Sequence, residues 1–345
     1  MKESTIPIYK SPLLNLDLSF VEKKVKHVHG PMRLDYKSND VMVLCLVQNG
    51  EYFIDEFVEH YFTKGFKHFI FLDNNSKDNT VKKACRYKNI TLLSTKLPFK
   101  HYQYDLRQYL IQKFSIKKWS LCVDIDEFFD WPYSDNVSLH SLIKYLNTNK
   151  YTAVIAQMLD MFPEKELNRI SKKQNIKDEC IYYDISDISR YPYANDHYNK
   201  NINDFTNIKS NDSINSFFGG IRKTLFNIND LYLTKHPLIF LDEKIKPQIR
   251  VHLIESAKIA DFSCVLYHYK FTHDFIKKAQ KASRKGNYRG HSAEYKKYLQ
   301  VIKKKPNLCI KQETSKKLEA INQLIKSGFL SVSQNYLEYV NTYIR

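Results

Sequence analysis

VMVLCLVQNGEYFIDEFVEHYFTKGFKHFIFLD, residues 41–73, holds three structural elements in one line. VMVLCLV, 41–47, is apolar without alternation, the pattern of a strand buried on both faces. Next, Ile54, Phe57, Val58, Tyr61 and Phe62 fall at i, i+3, i+4, i+7 and i+8, one face of a helix, and Gly65 supplies its stop. HFIFLD, 68–73, is a second strand. The same alternation continues outward. Ser76 or Asp78 can cap a short helix over 80–88. ITLLS, 90–94, is a third strand, and a helix over 102–116 leads to WSLCVDID, 119–126, a fourth. A helix over 138–147 leads to TAVIAQM, 152–158, a fifth. Strands alternating with helices predict an α/β fold: a mostly parallel, Rossmann-related sheet flanked by helices. Ligands of such sheets bind at the carboxyl ends of the strands. Asn49, Asp73, Asp124 and Asp126 all fall at such ends.

The rest of the chain frames this core. Residues 1–39 are polar and basic and read as an N-terminal arm. Residues 40–270 form the catalytic domain, and 271–345 a helical, basic C-terminal region broken at Pro306. Residues 160–215 read as long loops with short strands, a flap over the cleft. FFGGIRKTLF, 217–226, is a turn and a helix start, and HPLIFLDE and FSCVLYHYKF are two more strands. The chain has 345 residues, 43% hydrophobic, with formal net charge +17. That balance points to an anionic partner. Between Lys270 and Lys311 there are 13 Lys/Arg against two acids, Asp274 and Glu294. The six cysteines form no CxxC and read as small buried hydrophobes of a reducing compartment. The N-terminus shows no continuous apolar signal region, and the longest apolar run is far short of the roughly 20 residues of a membrane span. The expected location is cytoplasmic, peripheral at an inner membrane face.

Chemistry concentrates at Asp124-Ile125-Asp126-Glu127. At this strand end, Asp124 and Asp126 share a face, because side chains alternate with period two. Two carboxylates on one face repel unless a cation compensates. Hard oxygen ligands suit Mg²⁺ or Mn²⁺ together with substrate phosphates. LDNNSKDNT, 72–80, ends a strand and opens a helix, so Asp73 can accept hydrogen bonds from a nucleotide base or ribose. Gly219 and Gly220 allow close backbone approach, and their N–H groups with Arg222 or Lys223 can meet phosphate.

The order of 48–80, QNGEYFIDEFVEHYFTKGFKHFIFLDNNSKDNT, followed by WSLCVDIDEFF, resembles the family-2-type glycosyltransferases with the GT-A fold, in the subgroup with a DxDEF centre. The resemblance covers residues 40–130 and extends weakly through GGIRK (219–223) and LYHYKF (266–271). It implies a nucleotide-sugar donor and a glycan or glycolipid acceptor, in polysaccharide or lipopolysaccharide synthesis. It implies that Asp73 contacts base or ribose, that Asn49 lies beside the nucleotide, and that Asp124 and Asp126 hold the metal bridging the donor diphosphate. Glu127 supports a ligand or touches the sugar. His268 resembles the late-strand histidine that completes the metal site, with His252 a second candidate. For the catalytic base, Asp160 lies near the expected edge, with Asp242 and Glu243 as alternatives. This chain has Asn74 and Asn75 where the commoner family turn has an acid and a glycine. Two rivals remain. A sugar nucleotidyltransferase would carry a Gly-rich loop after the first strand, where this chain has VQNGEYF. A nucleic-acid-binding protein would carry a recognisable binding motif.

Overall fold

The computed structural model describes residues 18–37, 39–172, 175–193, 207–242, 246–250, 253–286 and 289–344. Glu243 and His252 lie outside the described residues, as do 1–17 of the predicted arm. Among the described residues, no helix is long and apolar enough to cross a membrane.

A nine-stranded sheet forms the centre. Its strands are β1 (Val25–His29), β2 (Val41–Val47), β3 (His68–Asp73), β4 (Ile90–Thr95), β5 (Trp119–Cys122), β6 (Glu127–Asp130), β7 (Ala153–Asp160), β8 (Thr234–Phe240) and β9 (Ile259–His268). Their spatial order is β1-β4-β3-β2-β5-β8-β7-β9-β6. Six strands run one way; β1, β6 and β8 run against them. The fold is therefore the expected α/β sheet, mostly parallel and flanked by helices.

β2 shows why its residues form this element. Val41, Val43, Cys45 and Val47 enter the core on one face of the sheet, with Phe57 and Tyr61 of α1 (Ile54–Thr63). Met42, Leu44 and Leu46 enter the core on the other face. There they join Leu106, Leu110 and Ile111 of a helix over Phe99–Phe114, here α3, which follows the short α2 (Thr80–Ala84). Each fully buried Val or Leu contributes about 1.5–3 kcal/mol, so both layers are fixed by one seven-residue strand. α4 (Leu139–Thr148) begins at Ser138, whose hydroxyl accepts the Ser141 N–H. Asp78 accepts the first-turn N–H of α2 at 3.0 Å.

Two elements differ from expectation. The fourth strand does not run to Asp126. It ends at Cys122, a turn covers 123–126, and Glu127–Asp130 forms its own strand at the far edge of the sheet. The N-terminal arm also contributes structure: β1 pairs antiparallel with β4. Its KHVH sequence is polar because an edge strand faces solvent.

The C-terminal region packs into the body of the protein. α5 (Ile221–Phe226), α6 (Phe275–Lys285) and α7 (Arg289–Lys304) share a core of Phe226, Phe271, Phe275 and Tyr298. Further on, Tyr336 stacks on Phe262 at 4.1 Å, and its hydroxyl donates to the Pro132 carbonyl at 3.0 Å.

α1 is also locked to β6. The Tyr61 hydroxyl donates to the Glu127 carbonyl and accepts the Phe129 N–H, both at 2.8 Å. Buried His60 reaches the Phe129 carbonyl through Nε2 at 2.9 Å. Burial pushes His60 down from 6.5 to about 3 despite that bond. The unfolded chain therefore binds the extra proton first. This stability is fully present above pH 6.5 and is lost as pH falls toward 3. Unfolding of His60→Gln measured against pH should show a flatter slope in that window. Some slope should remain, because His68 is also pushed down, to about 4, by burial.

Candidate active site

Asp124, Ile125, Asp126 and Glu127 make a tight turn. The Glu127 N–H donates to the Asp124 carbonyl at 3.0 Å, and the Asp124 N–H donates to Glu127 Oε2 at 3.1 Å. The turn overturns the shared-face reading of the two aspartates, because side chains alternate in a strand and not in a turn. Asp124 and Asp126 contact different groups.

Asp124 is held by two cations. Arg107 Nη2 of α3 lies 2.8 Å from Oδ1, and Lys235 Nζ of β8 lies 3.4 Å from Oδ2. Lys235 also pairs closely with Glu127, so it bridges the two carboxylates. Lys235 and Glu127 are both buried. Burial pushes the Asp124 carboxyl up, but Arg107 and Lys235 outweigh it and hold it well below the usual carboxylate range. For Glu127 burial wins over Lys235, and the carboxyl is pushed up. A β-bulge aims Lys235: the pairing of β8 with β7 slips between Lys235 and Leu238, around Pro237. Proline has no N–H to give the ladder and fits such a bulge. Both oxygens of Asp124, the expected metal ligand, thus lie beside cations.

Asp126 is about as open as Asp124, its side chain 26% exposed against 31%. Its Oδ2 lies 3.8 Å from His268 Nε2. Sheet register places His268 opposite both Glu127 on β6 and Asp160 on β7. His268 Nδ1 lies 2.6 Å from Asp160 Oδ1. Asp160 Oδ2 accepts from Arg222 Nε, also at 2.6 Å. Arg222 continues to Glu294 Oε1 of α7 at 3.3 Å, and Lys270 meets the same oxygen at 3.3 Å. The Tyr298 hydroxyl donates to Glu294 as well.

This chain changes two expected roles. Asp160 is buried, and each of its oxygens has a partner. Burial raises its carboxyl, but Arg222 and then His268 hold it well below the ordinary range. A carboxylate so held is a weak base, and it supports His268 instead. Arg222 is buried on Asp160 and Glu294, where a phosphate contact was expected. Asp242 follows β8, whose far end pairs Phe240 with Trp119 at the start of β5, so it lies at the edge of the sheet opposite Asp124.

The paired glycines serve the backbone. Gly219 and Gly220 have φ of +95° and +73°, which an L side chain rarely adopts. A Cβ on Gly219 would stand 2.7 Å from the Asp187 carbonyl oxygen. Their N–H groups, expected to face phosphate, donate to the carbonyls of Leu231 and Asp187 at 3.0 and 2.8 Å. The turn they make launches α5 and so sets Arg222.

Asn49 and Asp73 occupy the neighbouring strand ends. The Asn49 N–H donates to Ser76 Oγ, and its Oδ1 accepts the Lys77 N–H, both at 2.8 Å. Asn49 thus laces the loop after β2 to the loop after β3. Asp73 Oδ2 accepts the Ser76 N–H at 3.1 Å. Its Oδ1 is buried with no hydrogen-bond partner among the described residues.

The sequence alone assigned no role at this edge to Arg107, Lys235, Lys270 or Glu294. Lys235, a lysine inside the apolar run YLTKHPLIF, is the one local signal that could have been caught.

Among the described residues, no three of His, Cys, Asp and Glu are placed to hold a metal ion by themselves. Asp126 and His268 Nε2 do face each other, and a carboxylate on the far nitrogen is the usual support of a ligating histidine. Mg²⁺ and Mn²⁺ take few protein ligands and fill the rest with water and phosphate oxygens. The donor pair suits such a cation.

No family model matches the chain, and no curated protein matches it. Solved structures with partial likeness include TarS of S. aureus, with TM-score 0.30 and 14% identity over 41% of this chain and 26% of TarS. A UTP-bound UGPase from Acinetobacter baumannii gives TM-score 0.23 and 12% identity over 42% of this chain and 65% of that one. A UDP-glucose pyrophosphorylase complexed with UDP-glucose gives TM-score 0.23 and 9% identity over 43% of this chain and 67% of that one. The chain thus spans about a quarter of TarS, and likenesses this partial carry no argument about activity.

Proposed function

We propose that this chain is a divalent-metal-dependent glycosyltransferase. It would move a sugar from a nucleotide-sugar donor to a hydroxyl of a glycan or glycolipid, in cell-surface polysaccharide or lipopolysaccharide assembly. The observation that carries the reading is the pair Asp126–His268 at the carboxyl edge of the sheet, within the DxDEF sequence that resembles family-2-type glycosyltransferases. Asp126 and His268 hold Mn²⁺ or Mg²⁺ in this reading. The bound cation supplies charge neutralisation at the diphosphate leaving group. Arg107 and Lys235 hold Asp124 and Glu127 in place beneath it. The unbonded oxygen of Asp73 supports a contact to the nucleoside.

The outward faces of α6 and α7 support an anionic partner. Lys277, Lys278, Lys281, Arg284, Lys285, Lys296, Lys297, Lys303 and Lys304 are exposed. The one acid between Phe275 and Lys304 is Glu294, which contacts Arg222 and Lys270. Such a surface fits anionic lipid or a phosphorylated acceptor.

A panel of nucleotide sugars with Mn²⁺ tests the donor. One of them should raise the melting temperature and be hydrolysed slowly, and EDTA should abolish both effects. A panel with no response sinks the proposal. Formation of nucleoside triphosphate from nucleotide sugar and pyrophosphate would instead establish the nucleotidyltransferase. In a second arm, the protein should pellet with anionic vesicles and not with neutral ones; equal recovery from both removes the membrane partner.

A further inference from the structure

We infer that Arg222 and Glu294 are positioning residues that fix His268 in one tautomer, with Nε2 unprotonated and turned to Asp126. The inference rests on the metal reading above and adds how this chain secures the ligand. A histidine at a strand end can rotate its ring and exchange its proton between nitrogens. Here Asp160 removes that freedom, because a carboxylate only accepts and its Oδ1 takes the Nδ1 proton at 2.6 Å. In the neutral ring that leaves the lone pair on Nε2. The brace works only while Asp160 is held in turn, which is the task of Arg222 Nε at 2.6 Å on Oδ2.

Arg222 is itself clamped. Its Nη1 meets Glu294 and its Nη2 meets Met158 Sδ, both at 3.3 Å. The Gly219–Gly220 turn sets the start of its helix. Glu294 comes from α7 and is seated by Lys270 and Tyr298. The chain of contacts therefore runs from a C-terminal helix, through three side chains, to the face of His268. The basic C-terminal helices are then part of the catalytic unit, because they carry the last member of the brace.

The test uses the 345-residue chain and Mn²⁺ alone, with no donor. Free Mn²⁺ is followed by its paramagnetic resonance signal, and the His268 tautomer by ¹⁵N NMR of the imidazole in the metal-free protein. Supporting groups behind a metal ligand typically change affinity about 10- to 100-fold. Arg222→Gln should weaken Mn²⁺ binding within that range and turn the single tautomer into a mixture. Arg222→Lys should fall between wild type and Arg222→Gln, since it keeps the charge and loses the planar fork. Glu294→Gln should shift both readouts in the same direction by less, and it carries the test if Arg222→Gln does not fold. Unchanged Mn²⁺ affinity and an unchanged tautomer in folded Arg222→Gln or Glu294→Gln overturn the inference. A wild type that binds no Mn²⁺ sinks the metal reading, and the tautomer comparison still decides the brace.

Discussion

Asp126→Ala is expected to lower sugar transfer by about 10³-fold while leaving the folded protein as stable as the wild type. The size follows from the role. A metal that stabilises charge on a leaving group is worth several kcal/mol. Taking about 4 kcal/mol, at about 1.4 kcal/mol per factor of ten, gives about three orders of magnitude. The unchanged stability follows from the geometry. Asp126 holds the fold through its backbone, whose carbonyl accepts the Tyr269 N–H at 2.9 Å, and that bond survives truncation. Its carboxylate is partly exposed and its neighbour is His268. Turnover and melting temperature of the variant are the measurements, with the donor found by the panel. Wild type treated with EDTA should show the same loss. Transfer within a few-fold of wild type in Asp126→Ala would remove Asp126 from the proposed metal site. Asp124→Ala is the contrasting variant. It leaves Arg107 and Lys235 facing each other across a vacated anion, so it should cost stability as well as activity.

The two aspartates show what can be read along a chain and what cannot. The elements of residues 41–114 were legible because one buried strand and one amphipathic helix carry their own periodicity. The site was legible as far as its edge: Asp73, Asp124, Asp126, Asp160 and His268 all reach it because parallel strands end together. Two kinds of fact were not legible. One is the turn at 123–126. In CVDIDEFFD an apolar run with alternating acids continues as readily as it breaks, and the break depends on β6 pairing with β9, more than a hundred residues away. The other is which charge meets which. Asp124 with Lys235 and Asp160 with Arg222 are contacts set by the order of strands in the sheet, and no local period announces them. The partners of Asp160 were hidden for the same reason. A carboxylate at the right edge resembles a base until its partners are known.

Lys235→Met carries the largest expected effect on stability. Lys235 is buried, with Glu127 and Asp124 on its ammonium group. Its removal leaves Arg107 as the one cation beside two carboxylates. Breaking a buried pair by deleting one partner typically costs about 3–5 kcal/mol, and that range is expected from denaturant unfolding at pH 8. The loss should shrink at low pH, and the sign can be worked through. Burial already pushes Glu127 above its ordinary 4.5, against the pull of Lys235. Without the lysine, the folded value rises further. A group whose folded value lies above its unfolded one contributes stability that is present below pH 4.5 and is lost as pH rises through the folded value. Lys235→Met should therefore lie closer to wild type at pH 5 than at pH 8. Lys235→Met combined with Glu127→Gln should recover part of the loss at pH 8, because the glutamine leaves no uncompensated charge. The pairing would be disproved by a single variant within about 1 kcal/mol of wild type at pH 8, or by a double variant whose loss is the sum of the two singles.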